Sequence, residues 1–179
     1  MESLRGQLLI SSPALVDPNF RRTVVLVTHH DENGAIGLVL TRPSEVRVAD
    51  AVPELADLPG VEELVHVGGP VQPEAIIALA EFDDVDDALA PVVGSVGLMA
   101  ADAEPEELSI RRLRLFAGYA GWGAGQLESE LAEPSWIVAD ARPDDAFATS
   151  PDELWRSALE RKGDRFALLA SMPFDPTLN

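Results

Sequence analysis

The feature that most constrains the fold is a series of four glycines, at 118, 121, 123 and 125, between two stretches of different periodicity. Residues 112–115 alternate in polarity, as in a half-buried strand, whereas Leu127 and Leu131 lie four positions apart, as on one face of a helix. Glycine adopts positive φ angles and lets another backbone approach closely. The sequence therefore predicts that Gly118 to Gly125 form a partly buried turn from a strand into a helix.

Two interpretations of this turn stay open. The first turn of a helix presents unpaired N–H groups, which suit an anion. The spacing is not that of a dinucleotide fingerprint, because Gln126 stands where the third glycine would be, and no Gly-Lys-Ser/Thr follows as in a phosphate-binding loop. In the other interpretation the glycines only allow Tyr119 and Trp122 to pack around a tight corner.

The stretch Gly-Tyr-Ala-Gly-Trp-Gly-Ala-Gly-Gln-Leu-Glu-Ser-Glu-Leu, residues 118–131, resembles the central motif of the YqgE/AlgH family of bacterial proteins. The similarity extends to residues 20–26, to 30–40 with Arg42-Pro43, and to 68–71, and so covers nearly the whole chain. The resemblance implies a single compact α+β domain in which helices flank a strongly curved mixed β-sheet, a pseudo-barrel. It implies no assigned biochemical activity, although some members carry the label of transcriptional regulator.

The sequence departs from the family pattern where polar chemistry would be expected. After Gly69-Pro70 many members continue with an acidic residue, an arginine and a glycine, and later a histidine. Here Glu74 retains the acid, but the other three positions hold apolar residues, Ala75, Ile76 and Ala80. This departure favours a non-catalytic regulatory or interaction protein, and an enzyme of unknown reaction is the alternative.

Length and residue content limit the remaining functions. A chain of 179 residues is expected to form one domain, spanning 1–179. The absence of cysteine excludes disulfides, thiolate metal sites and cysteine nucleophiles. The first residues lack a secretory signal, and no apolar run reaches the roughly 20 residues that cross a bilayer. A cytoplasmic protein without membrane association is therefore expected.

The charge balance is strongly acidic. Thirty-one acidic residues against thirteen basic ones give a formal net charge of −18, which repels polyanions. Direct nucleic-acid binding is therefore not expected, and helix-turn-helix patterns are absent from the sequence. The densest basic cluster is Arg111, Arg112 and Arg114. On a strand Arg112 and Arg114 would share one face, where they could meet a phosphate or nearby carboxylates.

Periodicity and turn residues predict the remaining elements. Strands are expected over 6–10, 23–28, 35–41, 64–67, 76–82, 92–99 and 135–139, with the hairpin 23–41 central in the sheet. Helices are expected over 48–58, 151–162 and 166–169. Pro53 is expected near the start of the first helix or to kink it. Ser150 and Gly163 are the expected cap and stop of the second, and Asp164 is the expected cap of the third.

Two other segments are predicted from their composition. Residues 17–20 should form a turn or a single helical turn, with Asp17 as its cap and Pro18 at its first helical position. The segment 81–107 contains nine acidic residues and no basic ones, and is expected to be a solvated loop. A metal site is not expected there, because the carboxylates lack the spacing of a calcium loop.

Histidine is the best candidate base, but its surroundings predict little chemistry. His29 and His30 are adjacent and should point to opposite sides of an extended chain, so a metal centre is not expected. The serine-hydrolase pattern G-x-S-x-G is missing. No cofactor is predicted.

The hypothesis for a site is that two glycine-rich turns come together. Both turns follow strands, and ligands often bind beyond strand ends. The occupant would be a small anion, and an unknown protein partner is the other candidate. The predicted site residues are Gly68, Gly69, Gly121, Gly123 and Gly125, with His30 and Arg42 as polar neighbours.

Overall fold

The computed structural model describes residues 2–12, 20, 22–133, 135–163 and 165–171. Its strands are β1 (Gln7–Ser11), β2 (Val24–Asp31), β3 (Gly34–Val39), β4 (Pro43–Arg47), β5 (Leu64–Val67), β6 (Val71–Phe82), β7 (Ala90–Val93), β8 (Val96–Met99), β9 (Ile110–Gly123) and β10 (Trp136–Asp140). They form one sheet in the order β10-β1-β2-β3-β9-β6-β8-β7. Strand β4 pairs with β5, and β5 joins β9 in parallel, so the sheet is mixed as predicted.

Helices cover the faces of this sheet. They are α1 (Val48–Ala51), α2 (Gln126–Ala132), α3 (Pro151–Lys162) and α4 (Arg165–Ala170). Short 3-10 turns lie at Pro53–Leu55, Val85–Asp87, Pro105–Glu107 and Pro143–Phe147. The sheet curls strongly into a half-barrel, and the predicted class, one compact α+β domain, is confirmed. No helix among the described residues is long and apolar enough to span a membrane.

Strand β9 is the strand around which the sheet is assembled. It runs for 14 residues and pairs with β6 along one edge and with β3 and β5 along the other. Three apolar clusters cover different parts of the sheet. One packs against α3 and includes Phe116 and Trp155, one packs against α2 and includes Trp122, and one lies under residues 48–58 and includes Leu115.

The elements with strong local signals form as predicted. In α3 the Ser150 hydroxyl accepts a hydrogen bond from the Glu153 N–H at 3.4 Å, and Gly163 ends the helix with a φ of +83°. The central hairpin forms from β2 and β3, with a bulge between Val27 and His29. The predicted final helix is α4. Its expected cap, Asp164, and residues 17–19 of the predicted turn lie outside the described residues.

The predicted strand-to-helix turn over Gly118 to Gly125 is wrong for most of its length. Strand β9 continues through Gly123, and only residues 124–125 form the turn before α2. The reason is long-range pairing, because Gly121 lies opposite Ile36 and Gly123 opposite Gly34 of β3.

The predicted helix over 48–58 is also wrong as a single element. Helix α1 stops at Ala51, and Pro53 starts a separate 3-10 turn. Proline lacks an N–H and restricts the residue before it, so Val52 takes non-helical angles of φ −139° and ψ 73°.

The predicted strand 92–99 is two strands. Strands β7 and β8 form a hairpin that turns at Gly94-Ser95, where Gly94 has a φ of +53°. The acidic segment 81–107, expected to be a loop, therefore contains this hairpin and two 3-10 turns. Strand β4 was not predicted, since its residues Pro43 to Arg47 are mostly exposed and carry no alternating apolar pattern.

Candidate functional site

The two glycine segments predicted to meet lie in direct contact. We call this contact, between Gly68-Gly69 and residues 118–120, the glycine seam. A Cβ atom added to Gly68 would lie closer than 3.0 Å to the Gly118 carbonyl oxygen, and one added to Gly69 would overlap the backbone of Tyr119. The seam therefore depends on glycine at both positions, because any side chain would push the two backbones apart.

The seam is closed, and both backbone hydrogen-bonding groups of Gly68 are used. The Gly68 N–H donates to the Ala117 carbonyl at 2.9 Å, and the Gly68 carbonyl accepts from the Val39 N–H at 2.9 Å. The backbone of Gly68 thus joins the end of β5 to β9 and β3. This geometry is that of a packing contact between strands.

The remaining predicted glycines lie further along the same chain segment. Gly121 borders a pocket of about 450 Å³ that His29, Ile36 and Tyr119 also line. Gly125 precedes α2 with a φ of +76°, and nothing lies within 4 Å of the position its Cβ would take. These glycines are therefore much less crowded than those of the seam.

Polar residues after the glycines form a network at the corner between β9 and α2. One Glu130 oxygen accepts hydrogen bonds from the indole N–H groups of Trp122 and Trp136, at 3.2 and 3.0 Å. The side-chain amide of Gln126 donates to the other Glu130 oxygen at 3.0 Å, and its oxygen accepts from the Gly123 N–H at 3.0 Å. Gln126 and Glu130 of this motif therefore have partners within the fold.

Aromatic rings complete the same corner. Phe20 stacks on Trp122 with ring centroids 6.4 Å apart, and Trp136 meets both rings edge-on. Only 6% of Trp122 is exposed. The second interpretation of the motif predicts such packing for Trp122 and Tyr119. Trp122 lies in this corner, whereas Tyr119 lines the pocket beside Gly121.

His30 is buried and both its ring nitrogens are engaged. Nδ1 accepts a hydrogen bond from the Leu4 N–H at 3.0 Å, so we assign the ring proton to Nε2, which donates to Glu128 at 2.7 Å. This hydrogen bond lowers the pKa of the Glu128 carboxyl. His29 is exposed and lies 2.9 Å from Asp31, so the two histidines do face opposite sides. His30 thus joins the N-terminal segment and α2 to β2.

Arg42 lies where β3 leads into β4 and is partly buried, which lowers the pKa of its guanidinium. Its carbonyl accepts a hydrogen bond from the Val67 N–H at 2.7 Å, next to the seam. Arg42 is therefore close to Gly68 in the structure, as the hypothesis for the site requires.

The predicted basic cluster is paired with carboxylates. Only 1% of Arg114 is exposed, and its guanidinium donates two hydrogen bonds to Glu62. Arg112 contacts Glu81 at 3.1 Å and Asp144 at 2.9 Å. The Arg112–Glu81 hydrogen bond raises the pKa of Arg112 and lowers that of Glu81. Of the two partners considered for these arginines, nearby carboxylates are the ones in contact.

A further open feature of the described residues was not predicted from the sequence. We call it the apolar groove, with a volume of about 870 Å³. Three of its large apolar side chains are substantially exposed, namely Leu89 (67%), Ile76 (43%) and Ile36 (38%). The groove is lined by Thr28, His29, Ile36, Leu38, Val52, Glu54, Leu55, Ile76, Ile77, Ala78, Leu89, Leu98, Leu115, Tyr119 and residues 99–106.

The groove was missed because β3, β6, β8 and residues 99–106 meet only in the folded chain. A signal was present at Ile76, one of the apolar residues where the family pattern has a polar residue or glycine. An exposed isoleucine on a strand costs solubility and often marks a binding surface when it has apolar neighbours. Across the described part of the chain, no cluster of three or more His, Asp or Glu side chains could hold a metal.

Comparison with known proteins places the chain in a family. The AlgH-like family model matches residues 8–167. A UPF0301 protein of Streptomyces avermitilis is 45% identical over all of this chain and 97% of its own length. A crystal structure from Corynebacterium diphtheriae is similar with a TM-score of 0.87, at 27% identity over 96% of this chain and 93% of the other.

The solution structure of AlgH from Pseudomonas aeruginosa matches with a TM-score of 0.72, at 30% identity over 97% of this chain and 98% of that protein. The family expected from the residues around the glycines is thus found independently by sequence and by structure. The chain belongs to the AlgH-like family.

Proposed function

We propose that this chain is a non-catalytic interaction protein and that the apolar groove binds a polypeptide segment of a partner protein. The observation that carries the proposal is the exposure of Leu89, Ile76 and Ile36 along one groove. These side chains line the groove and remain accessible to solvent. An occupant must therefore bring an apolar surface of its own, as a polypeptide does.

The state of His30 supports binding over catalysis. A general base needs a free lone pair within reach of its substrate. Both ring nitrogens of His30 are already hydrogen-bonded, to Leu4 and Glu128. A regulatory role, of the kind that the family label names, would then act through a protein partner. Direct contact with DNA is disfavoured by the net charge of −18.

Selection from a library of random 16-residue peptides tests the proposal. Peptides enriched on the wild-type chain should lose at least about tenfold in affinity on an Ile76→Ser/Leu89→Ser variant. Val46→Ser is the matched control, because Val46 is 51% exposed but lies outside the groove. The control should bind these peptides as the wild type does. Failure to enrich any peptide, or equal affinity for the groove variant, would contradict the proposal.

The binding of a small anion near Gly121, Gly123 and Gly125, with His30 and Arg42 as neighbours, stays a prediction. Phosphate and nucleotide titrations followed by NMR would test it. Shifts of the amide resonances from Gly121 to Gln126 would support an anion site. A flat response would leave only the packing role for these glycines.

A further inference from the structure

The charge of the groove restricts what it can bind. Its lining contains the carboxylates of Glu54, Asp102, Glu104 and Glu106, and no arginine or lysine. All four side chains are exposed. Within the described residues none of the four makes a side-chain hydrogen bond or ion pair. The rim of the apolar groove is therefore acidic and uncompensated.

Some carboxylates elsewhere in this chain are paired with cations. Glu62 contacts Arg114, Glu81 contacts Arg112, and Asp145 contacts Arg161 at 2.9 Å. At the groove, the four rim carboxylates face solvent beside exposed isoleucine and leucine side chains. A partner that supplies cations together with apolar side chains would complement both features at once.

Building on the proposed function, we propose that the partner segment is basic and amphipathic. Its apolar side chains pack on Ile36, Ile76 and Leu89, and its lysines or arginines pair with the four carboxylates of the rim. A second copy of this chain fits poorly, because each copy carries a formal charge of −18. The same charge repels anionic lipid surfaces and nucleic acids, which leaves a basic protein segment as the complementary occupant.

Three matched peptides test this inference on the full chain. Each has 14 residues with leucines at helical spacing on one face, and the opposite face carries lysine, glutamine or glutamate. Fluorescence anisotropy gives the affinities at 50 and 300 mM NaCl. The lysine peptide should bind at least about tenfold more tightly than the glutamine peptide at low salt. The difference should shrink at high salt, since exposed charges are screened.

A variant whose four rim carboxylates are neutralised tests whether the preference for the lysine peptide arises at the groove. The substitutions E54Q, D102N, E104Q and E106Q should reduce the affinity for the lysine peptide to that for the glutamine peptide. The control carries E45Q, E63Q, E133Q and E160Q, which neutralise four exposed carboxylates outside the groove and change the net charge equally. It should retain most of the preference for lysine.

The possible failures are distinguishable. If the glutamine peptide binds as tightly as the lysine peptide, and Ile76→Ser/Leu89→Ser weakens both, the basic partner is overturned while the groove proposal stands. If both charge variants lose the lysine preference equally, the attraction comes from net charge and the inference is overturned. If none of the three peptides binds, and the library yields none either, both proposals fail.

Discussion

The glycine seam and the apolar groove are neighbours that share Tyr119, but they are built in opposite ways. At the seam two backbones touch, and there is no space for a single added carbon at Gly68 or Gly69. In the groove apolar side chains remain exposed, and the carboxylates have no partners among the described residues. The glycines, which form the most recognisable pattern in the sequence, thus form a closed contact between two backbones. The open surface comes mostly from residues outside this motif.

This difference shows what the glycine motif encodes. Glu128, Glu130 and Gln126 hold α2 against β2, β9 and β10 through side-chain hydrogen bonds. A motif of glycines and polar residues can therefore specify a contact between strands and the corner between a strand and a helix. Four measurements of stability test this difference between the seam and the groove.

The largest effect is expected for Gly69→Ala. The added Cβ would overlap the Tyr119 carbonyl group and the Ala120 nitrogen, which are backbone atoms that cannot move aside. We expect loss of most of the free energy of unfolding, on the order of 5 kcal/mol or more. Thermal unfolding followed by circular dichroism measures it.

Gly125→Ala is the matched control for this substitution. Gly125 also has a positive φ, +76°, but nothing lies within 4 Å of the added carbon. It should cost only about 1–2 kcal/mol, the penalty of a left-handed backbone. Equal losses at both glycines would mean that backbone conformation and not contact controls the seam.

Trp122→Ala should come next, with a loss of about 3–5 kcal/mol, the usual cost of removing a large buried aromatic side chain. The ring packs between Phe20 and Trp136, and its N–H donates to Glu130. Trp122→Phe retains much of the buried area and loses the hydrogen bond, so it should cost less. An unchanged melting temperature for Trp122→Ala would place the ring on the surface and favour the binding interpretation of the motif.

A smaller effect is expected from His66, the strand residue before the seam. Burial, then the charge of Arg114, lowers the pKa of its imidazole to about 4. The unfolded chain binds the proton near pH 6.5 and the folded chain near pH 4. Stability is therefore greatest above pH 6.5 and falls as the pH drops toward 4. Between pH 7 and pH 5 the loss should be about 2 kcal/mol.

Denaturant unfolding at the two pH values measures this loss. The variant His66→Gln cannot titrate at this position, so its stability should change by about 2 kcal/mol less over the same range. Identical pH dependence in both proteins would mean that the imidazole is hydrated in the folded chain. In that case the seam would be more open to water than the structure indicates.

An element could be predicted from the sequence when residues next to it in the chain determine it, and could not when distant residues do. Helix α3 was predictable because Ser150 and Gly163 act on their own neighbours. The continuation of β9 through Gly121 and Gly123 was not, because pairing with Ile36 and Gly34 decides it from far along the chain.

The two parts of the candidate site, the glycine seam and the apolar groove, differ in the same way. Contact between the glycine segments followed from their position after strands, and the structure brings Gly68 against Gly118. The groove could not be predicted, because its exposed residues Ile36, Ile76 and Leu89 come from separate segments. Only their arrangement in the sheet makes them one surface.

The smallest effect on stability is expected in the groove itself. Leu89→Ser removes a side chain that is 67% exposed, so the free energy of unfolding should change by no more than about 0.5 kcal/mol. Leu79→Ala, at a fully buried leucine of the neighbouring strand β6, should cost about 2–5 kcal/mol and calibrates the measurement. If Leu89→Ser instead cost about 2 kcal/mol, Leu89 would already be covered in solution. The groove would then be a closed surface like the seam, and a partner would have to displace whatever covers it before binding.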